Sequence, residues 1–370
     1  MSALFQLSPK QKRNISRILP FGGIWFLTSC LFLLNDISVS RYQNLNPTTD
    51  ITLTLPVFIF ASLAITILGL LVGTMEMVVL EKRFTNHSLL GKIVAKFFIY
   101  LGILMVTVLI TYPIASSIEL GLSLFDPEIW QKLFRFLGSL SFLNTIIQLS
   151  FSLLLSLGYA AISENLGHQL FRNFITGRYH KPKVERRIFM FLDMKQSTTI
   201  AEKLGHVKYF DFLRMYYNIM SDSIIAHYGE VYQYIGDEVV ISWKAEQGIS
   251  DEHCLRCFFS LKESMREHEA AFVKQFGVGP DFKAGMHIGD VSMGEIGALK
   301  KEIVYSGDVL NTSARIQSQC KTYQNDLIIS QDLASEFSQT SSFEFEPLAK
   351  LVLSGKSLAT QIYGVRSHSS

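Results

Sequence analysis

Four long apolar runs occupy the first 162 residues, and they constrain the fold more than any other feature of the chain. They are Ile18–Leu34, Leu55–Leu80, Ile93–Ser116 and about Phe136–Ile162. A helix needs about 20 apolar residues to cross a bilayer, and each run is close to or beyond that length. The whole chain has 370 residues, of which 48% are hydrophobic and only 18% charged, with a mean hydropathy of +0.25. That balance is too apolar for an ordinary soluble protein. The expectation is an integral membrane protein with four helical spans and membrane lipid as a partner. A cleaved leader is not expected, because the first run starts late and no small-residue cleavage site follows it.

Basic residues near span ends set orientation. Lys10, Lys12, Arg13 and Arg17 precede the first run, and Lys82, Arg83, Lys92 and Lys96 lie around the second connection. Arg172, Arg178, Lys181, Lys183, Arg186 and Arg187 follow the fourth. The other two connections carry Arg41 alone, and Lys132 with Arg135 against Glu119, Asp126 and Glu128. Both termini, and all that follows the spans, are therefore expected on the cytoplasmic side of a plasma or inner membrane. Glu76 is an acid within a span. Its plain reading is a residue near the cytoplasmic end reaching water beside Lys82 or Arg83; its functional reading is a sensing group. The net charge of +2 gives no argument for nucleic acid, and none is expected as a partner. Of four cysteines, Cys254 and Cys257 form a C-x-x-C with no second pair, half a zinc or redox motif inside a helical pattern.

Composition changes at residue 163. Four segments are expected: 1–162 as the membrane region, 163–185 as a linker, 186–366 as a soluble domain and 367–370 as a tail. The linker places Leu166, Leu170, Phe171 and Phe174 at helical spacing before Gly177 and Pro182. It reads either as a plain connector or as a paired transducing helix.

The soluble half alternates strand and helix patterns. "RIFMFLDM" reads as a buried strand, and a helical stretch then runs to Gly229. "VYQYIGDEVVISW" reads as a hairpin turned at Gly236-Asp237, and a helix runs from about Asp251 to Gly277. "DFKAGMHIGDVSMGEIG" is expected to be a second hairpin turned at Gly289-Asp290, followed by a helix with Asp308 as N-cap. The order β-α-β-β-α-β is that of an α+β ferredoxin-like domain. In that order the first and third strands pair antiparallel. Asp193, ending the first strand, then meets Asp237, in the turn before the third. Singly, each reads as a turn or capping residue. Together, two converging carboxylates repel, and a hard dication such as Mg²⁺ relieves that with one or two carboxylates plus substrate phosphates. "MKQSTT" after Asp193 leads into a helix start whose N–H groups favour phosphate.

These residues resemble the class III nucleotidyl cyclase catalytic domain, with its palm-type fold, over residues 187–365. "FLDMKQST" is similar to the family's first metal motif and "YIGDEVV" to its second. "FKAGMHIGDVSMGEIG" is similar to its dimer-contact segment, and "YSGDVLNTSARIQ" to its helix bearing an Asn and an Arg. The resemblance implies a homodimer through the catalytic domain, with metal acids from one protomer and the Asn and Arg from the other. It implies two Mg²⁺ or Mn²⁺ ions per site, held by Asp193, Asp237 and the backbone of Met194. Gln196, Ser197, Thr198 and Lys356 would bind the triphosphate. Asn311 would orient the ribose, and Arg315 would stabilise charge on the reacting phosphate. The products would be a 3′,5′-cyclic nucleotide and pyrophosphate.

The base-reading positions depart from the family. Adenylate cyclases usually carry Lys where this chain has Gln233, and Asp or Thr where it has Val304; guanylate cyclases usually carry Glu and Cys. A Gln amide can donate and accept, so it suits either purine. Val304 offers nothing to guanine's extra polar edge, which favours ATP over GTP. The alternatives are a guanylate cyclase making cyclic GMP and a catalytically degenerate cyclase-like regulatory module. The two-Gly signature of diguanylate cyclases is missing from "YIGDEVV".

Overall fold

The computed structural model describes residues 7–40, 48–80, 89–167, 171, 177, 181–297, 302–337, 341–352 and 359–367. The chain forms two compact units, one of Gln11–Ile175 and one of Thr176–Ser370 with Met1–Lys10.

The first unit is helical: α1 (Pro9–Ser40), α2 (Leu55–Thr74, continued by a π-helical turn Met75–Leu80), α3 (Leu89–Leu120), α4 (Pro127–Leu137) and α5 (Leu140–Leu166). Four stretches are long and apolar enough to cross a membrane: Pro9–Ser38, Leu55–Leu80, Leu90–Leu120 and Leu140–Glu164. The third runs past the expected Ser116. The connection after it is not a plain loop, because it folds into α4. Asp126 caps that helix by accepting from the Glu128 amide at 2.9 Å, and Ile129, Leu133 and Phe136 are buried along one face. Phe136 therefore belongs to α4, and the fourth span begins at Leu140. An eleven-residue helix set among charges has too short a period to stand out from the sequence.

Glu76 does not reach water. It is buried on the π-helical turn, ion-paired with Lys96, and it accepts from the Tyr100 hydroxyl at 2.9 Å. Lys82 and Arg83 lie outside the described residues. Most of the linker helix does too: α5 ends at Leu166, and Gly167 follows with φ 83°.

The second unit carries β1 (Lys183–Met194), α6 (Ser197–Leu204), α7 (His206–Ala226), β2 (Glu230–Ile235), β3 (Glu238–Lys244), α8 (Ala245–Ile249), a 3₁₀ turn (Ser250–Glu252) and α9 (His253–Phe276). It continues with β4 (Phe282–Ile296), β5 (Glu302–Ser306), α10 (Asp308–Gln319), β6 (Leu327–Ser330), α11 (Gln331–Ala334), β7 (Phe343–Val352) and β8 (Ala359–Ser367). The sheet order is β2-β3-β1-β4-β6-β8-β7, with β5 hydrogen-bonded to β4. Its first half is the expected ferredoxin-like arrangement, with β1 antiparallel to β3 and to β4.

Side chains alternate across β1 with the period of two that strands impose. Ile188, Met190 and Leu192 enter the main core with residues of α7 and α9, such as Tyr216 and Phe258. Phe189 and Phe191 pack on the other face with Val240, Val291, Tyr305 and Val309. That second face carries α10.

Two local expectations are corrected. Gly289 and Asp290 do not turn the chain; β4 is one strand of 15 residues, paired with β1 through Arg187↔Gly289 and Arg186↔Asp290. The chain reverses after Ile296, and β5 returns with Ile296 opposite Glu302. Asp308 is not the N-cap. Gly307 holds that position, and the Asp308 carboxylate accepts from the Thr312 hydroxyl one turn on, at 3.2 Å. The C-x-x-C lies inside α9 with both thiols fully buried. Burial pushes Cys254 up to about 12 and Cys257 above its ordinary value too. Neither is a ready thiolate, so the pair reads as core.

Gly285 on β4 lets α10 lie against the sheet, because a Cβ there would sit 2.2 Å from the Gln317 amide nitrogen. The obstacle is backbone and cannot rotate away. Gly285→Ala is expected to lower stability by about 1–3 kcal/mol through overpacking, measured by thermal unfolding of the full chain.

Candidate active site

Each acid reaches the site through the backbone that carries it. Asp193 is the last residue but one of β1 and lies opposite Glu238 on β3 and Lys283 on β4. Asp237 occupies the turn between β2 and β3, whose other residue, Gly236, has φ 64°. That left-handed angle is readily available to glycine and uncommon elsewhere. The Tyr217 hydroxyl, from α7, braces the turn by donating to the Gly236 carbonyl at 2.9 Å and to the Glu238 carbonyl at 3.4 Å.

The two acids meet, as the strand order requires. Burial raises the Asp193 carboxyl above its ordinary value of 3.8; the charge of Asp237 raises it further, and Lys283 opposes both. Glu238 is raised by burial and by the charges of Asp193 and Asp237. Two groups missed in the sequence hold Asp193. Lys283 Nζ lies 3.4 Å from its Oδ2, and Gln317 Nε2 donates to the same oxygen at 3.0 Å. Strand register could have exposed Lys283. Gln317 comes from 124 residues away with no local signal.

Among the described residues no cluster of three or more His, Cys, Asp and Glu forms a metal cage. A pair of acids is nonetheless the donor set that suits Mg²⁺, which takes one or two carboxylates and completes its shell with water and phosphate oxygens. Two neighbouring carboxylates, with Asp193 raised by burial and by the charge of Asp237 and one lysine at the edge, fit a dication.

Gln196 precedes α6 with φ 56° and no side-chain cap. The first amides of that helix, at Ser197 and Thr198, thus lack an intrahelical acceptor. Gln196 and Thr198 are exposed and Ser197 half-buried, close to Met194 at the end of β1. Lys356 lies outside the described residues. Gln233 is exposed on β2 beside a bulge, and Val304 is half-buried on β5. The neighbouring rings Tyr232 and Tyr305 are 4.8 Å apart, so these strands approach each other.

Asn311 and Arg315 both sit on α10, four residues apart on one helix face. Asn311 is exposed and Arg315 half-buried. Among the described residues, Arg315 Nη1 is buried without a hydrogen-bond partner. Gln317, on the same helix, points to this chain's own Asp193. At 3.6 residues per turn, Arg315 and Gln317 project about 160° apart. One copy of α10 therefore does not aim both side chains at the same carboxylates, and no hydrogen bond or ion pair joins Asn311 or Arg315 to Asp193 or Asp237 among the described residues.

Comparisons with known proteins give the family of the domain that carries these residues. Residues 180–366 match the family model described as the Adenylate and Guanylate cyclase catalytic domain. The chain therefore belongs to the class III nucleotidyl cyclase family. It is 35% identical over 172 residues to "Adenylate cyclase 2" of Rhizobium meliloti, covering 46% of this chain and 47% of that one. "Adenylate cyclase 1" of the same organism is 29% identical over 184 residues, covering 48% and 27%. The chain thus spans about half, or less, of the length of these relatives. The crystal structure of the adenylyl cyclase CyaB from P. aeruginosa is 17% identical with a TM-score of 0.45, covering 51% of this chain and 97% of that one.

The raised Asp193 has a thermodynamic consequence. A carboxyl whose folded pKa exceeds its unfolded value favours folding at low pH, and that contribution is lost as pH rises through the folded value. At neutral pH without divalent cation, ionised Asp193 works against the fold. Asp193→Asn is expected to raise the melting temperature of the cation-free full chain at pH 7 by a few degrees; about 1 kcal/mol moves a domain of this size by about 2–4 °C. The same variant is expected to lose the stabilisation that Mn²⁺ gives the unaltered chain. Calorimetry with and without Mn²⁺ checks both, and an unchanged Mn²⁺ response would count against the assignment.

Proposed function

We propose that this chain is a membrane-anchored adenylate cyclase that converts ATP to 3′,5′-cyclic AMP and pyrophosphate at a homodimer interface. The observation that carries this reading is the division of groups just described. Asp193 and Asp237 converge at one sheet edge, while among the described residues Arg315 keeps a buried donor without a partner, on a helix face turned away from Gln317. A second copy of the chain supplies the missing half of each site.

In this reading Asp193, Asp237 and the Met194 backbone would hold two divalent ions, Mg²⁺ or Mn²⁺. When bound, these supply Lewis acidity toward the ribose 3′-hydroxyl and the α-phosphate. The chain's own groups do the rest. Tyr217 fixes the turn under Asp237. Lys283 and Gln317 orient Asp193. The amides of Ser197 and Thr198, with Gln196, receive phosphate oxygens at the start of α6, and Lys356 adds a cation from the "LSGK" segment. Asn311 holds the ribose, so that the hydroxyl faces the phosphorus. Arg315 meets the charge that grows on the phosphate oxygens, where a fixed donor contributes most. Gln233 and Val304 face the base. The likeness to two adenylate cyclases of Rhizobium meliloti supports ATP, as does the absence of a polar group at Val304 for guanine. The altered base-reading pair keeps GTP as the second reading.

The basic residues around the spans support a cytoplasmic catalytic domain and cytoplasmic termini. The organisation is 1–162 as the membrane region, 163–185 as the linker, 186–366 as the catalytic domain and 367–370 as the tail.

The purified chain with Mn²⁺ is expected to form cyclic AMP in excess over cyclic GMP, measured with both nucleotides. Predominant cyclic GMP would assign the second reading, and neither product would assign a regulatory module. Asp237→Ala and Arg315→Ala are each expected to lose activity by a factor on the order of 100. Co-expressing the two variants is expected to restore about a quarter of the unaltered activity, because random pairing gives mixed dimers that each keep one intact site. No restoration would contradict the shared site.

A further inference from the structure

The turn that joins β1 to α6 is anchored by four charges other than the two metal acids. Lys195 Nζ lies 2.7 Å from Asp281 Oδ2 and 2.5 Å from Asp326 Oδ1. Lys262 Nζ, from α9, lies 2.5 Å from Asp281 Oδ1 and 2.7 Å from Asp326 Oδ2. Each lysine touches both acids, and each acid gives one oxygen to each lysine. The charges cancel within the group. Among the described residues Lys195 makes no ion pair with Asp193, whose lysine is Lys283.

A single exposed ion pair contributes little, because water screens it and two long side chains must be ordered. A closed network on fixed supports differs. The Asp281 carboxylate also accepts from the Phe282 amide at 2.8 Å, where β4 begins. The Asp326 carbonyl accepts from the Ala284 amide at 2.7 Å, just before β6. Lys262 Nζ stands 4.7 Å from the centroid of the Phe282 ring. Lys195 is held through its main chain as well, because its amide donates to the Asp281 carbonyl at 2.8 Å.

The residue that follows is strained. Gln196 has φ 56° and ψ 26°, a left-handed conformation uncommon for a residue with a Cβ. Its side chain makes no cap hydrogen bond to offset this. Strained backbone persists where its surroundings over-determine it, and such places cluster at ligand clamps. Here the strained residue directs the chain from Asp193 into α6, whose first amides lack an intrahelical acceptor.

We propose that Lys195 is a positioning residue for the phosphate-binding turn: tied to Asp281 and Asp326, it keeps Gln196 left-handed, so that the opening amides of α6 are set for the nucleotide's triphosphate before it arrives. This deepens the cyclase reading and rests on it. Lys262 shares both acids but lies on α9, so it supports the group without belonging to the turn.

The test compares Lys195→Met with Lys262→Met in the purified full chain, by two readouts. The first is ATP turnover with Mn²⁺. Lys195→Met is expected to raise KM for ATP about tenfold, the order of one hydrogen bond to a charged group. Its kcat is expected to stay within about twofold, the pattern of lost ground-state binding. Lys262→Met is expected to keep KM within about twofold. The second readout is hydrogen exchange without nucleotide. The Ile200 amide donates to the Gln196 carbonyl at 3.0 Å. It is expected to exchange at least about tenfold faster in Lys195→Met, and at the unaltered rate in Lys262→Met. Equal shifts in both variants would make the group a general structural brace. A raised KM with unaltered exchange would mean that Lys195 meets the phosphate itself. Either result overturns the proposal, as does an unaltered KM in Lys195→Met. If Lys195→Met fails to fold, Lys195→Gln carries the same expectations. If the unaltered chain forms no cyclic nucleotide, the cyclase reading fails, and the exchange comparison still decides whether Lys195 holds the turn.

Discussion

The catalytic unit is organised around a repulsion. Asp193 and Asp237 are brought together by strand pairing, and burial and the charge of Asp237 make the ionised form of Asp193 costly where they meet. The surrounding structure holds the acids in place without neutralising them. Lys283 stands at one edge, Gln317 gives a single neutral hydrogen bond, and Tyr217 fixes the turn from beneath. A carboxylate pair fully matched by cations would be more stable and useless for binding a dication. Holding charges in an unfavourable arrangement is the usual conflict between stability and function at active sites. The strand that carries Asp193 is buried on both faces, which holds the arrangement in place.

The same logic separates the residues of α10. Gln317 turns inward to the acids of its own chain, whereas Asn311 and Arg315 lie on another face of the helix. A buried guanidinium nitrogen without a partner is costly unless something arrives to meet it. In the helical unit, polar groups are treated differently. Glu76 is matched by Lys96 and Tyr100, and Glu119 is matched by Lys132 at 2.6 Å.

Much of this was legible in the sequence, for physical reasons. Hydropathy over twenty residues is a strong signal, so the spans were plain. The strand-helix order and the turn residues Gly236-Asp237 were local, and they sufficed to bring Asp193 and Asp237 to one place. What failed was also local. Gly289-Asp290 has turn chemistry, but β1 pairs with β4 on both sides of it, and tertiary pairing overrides the propensity of two residues. Asp308 looked like a cap because Asp commonly is one, yet Gly307 took the position. The partners of Glu76, and the bond from Gln317 to Asp193, depend on segments brought together only by folding. Neither leaves a pattern in the residues nearby.

The most direct test of the central claim is the binding of Mn²⁺ by the full chain with 3′-deoxy-ATP, which cannot cyclise, followed by electron paramagnetic resonance. The account requires two bound Mn²⁺ ions per site, the complement of a two-metal centre, and loss of bound Mn²⁺ in both Asp193→Asn and Asp237→Asn. Full Mn²⁺ occupancy in either variant would mean that the two acids do not share one metal centre.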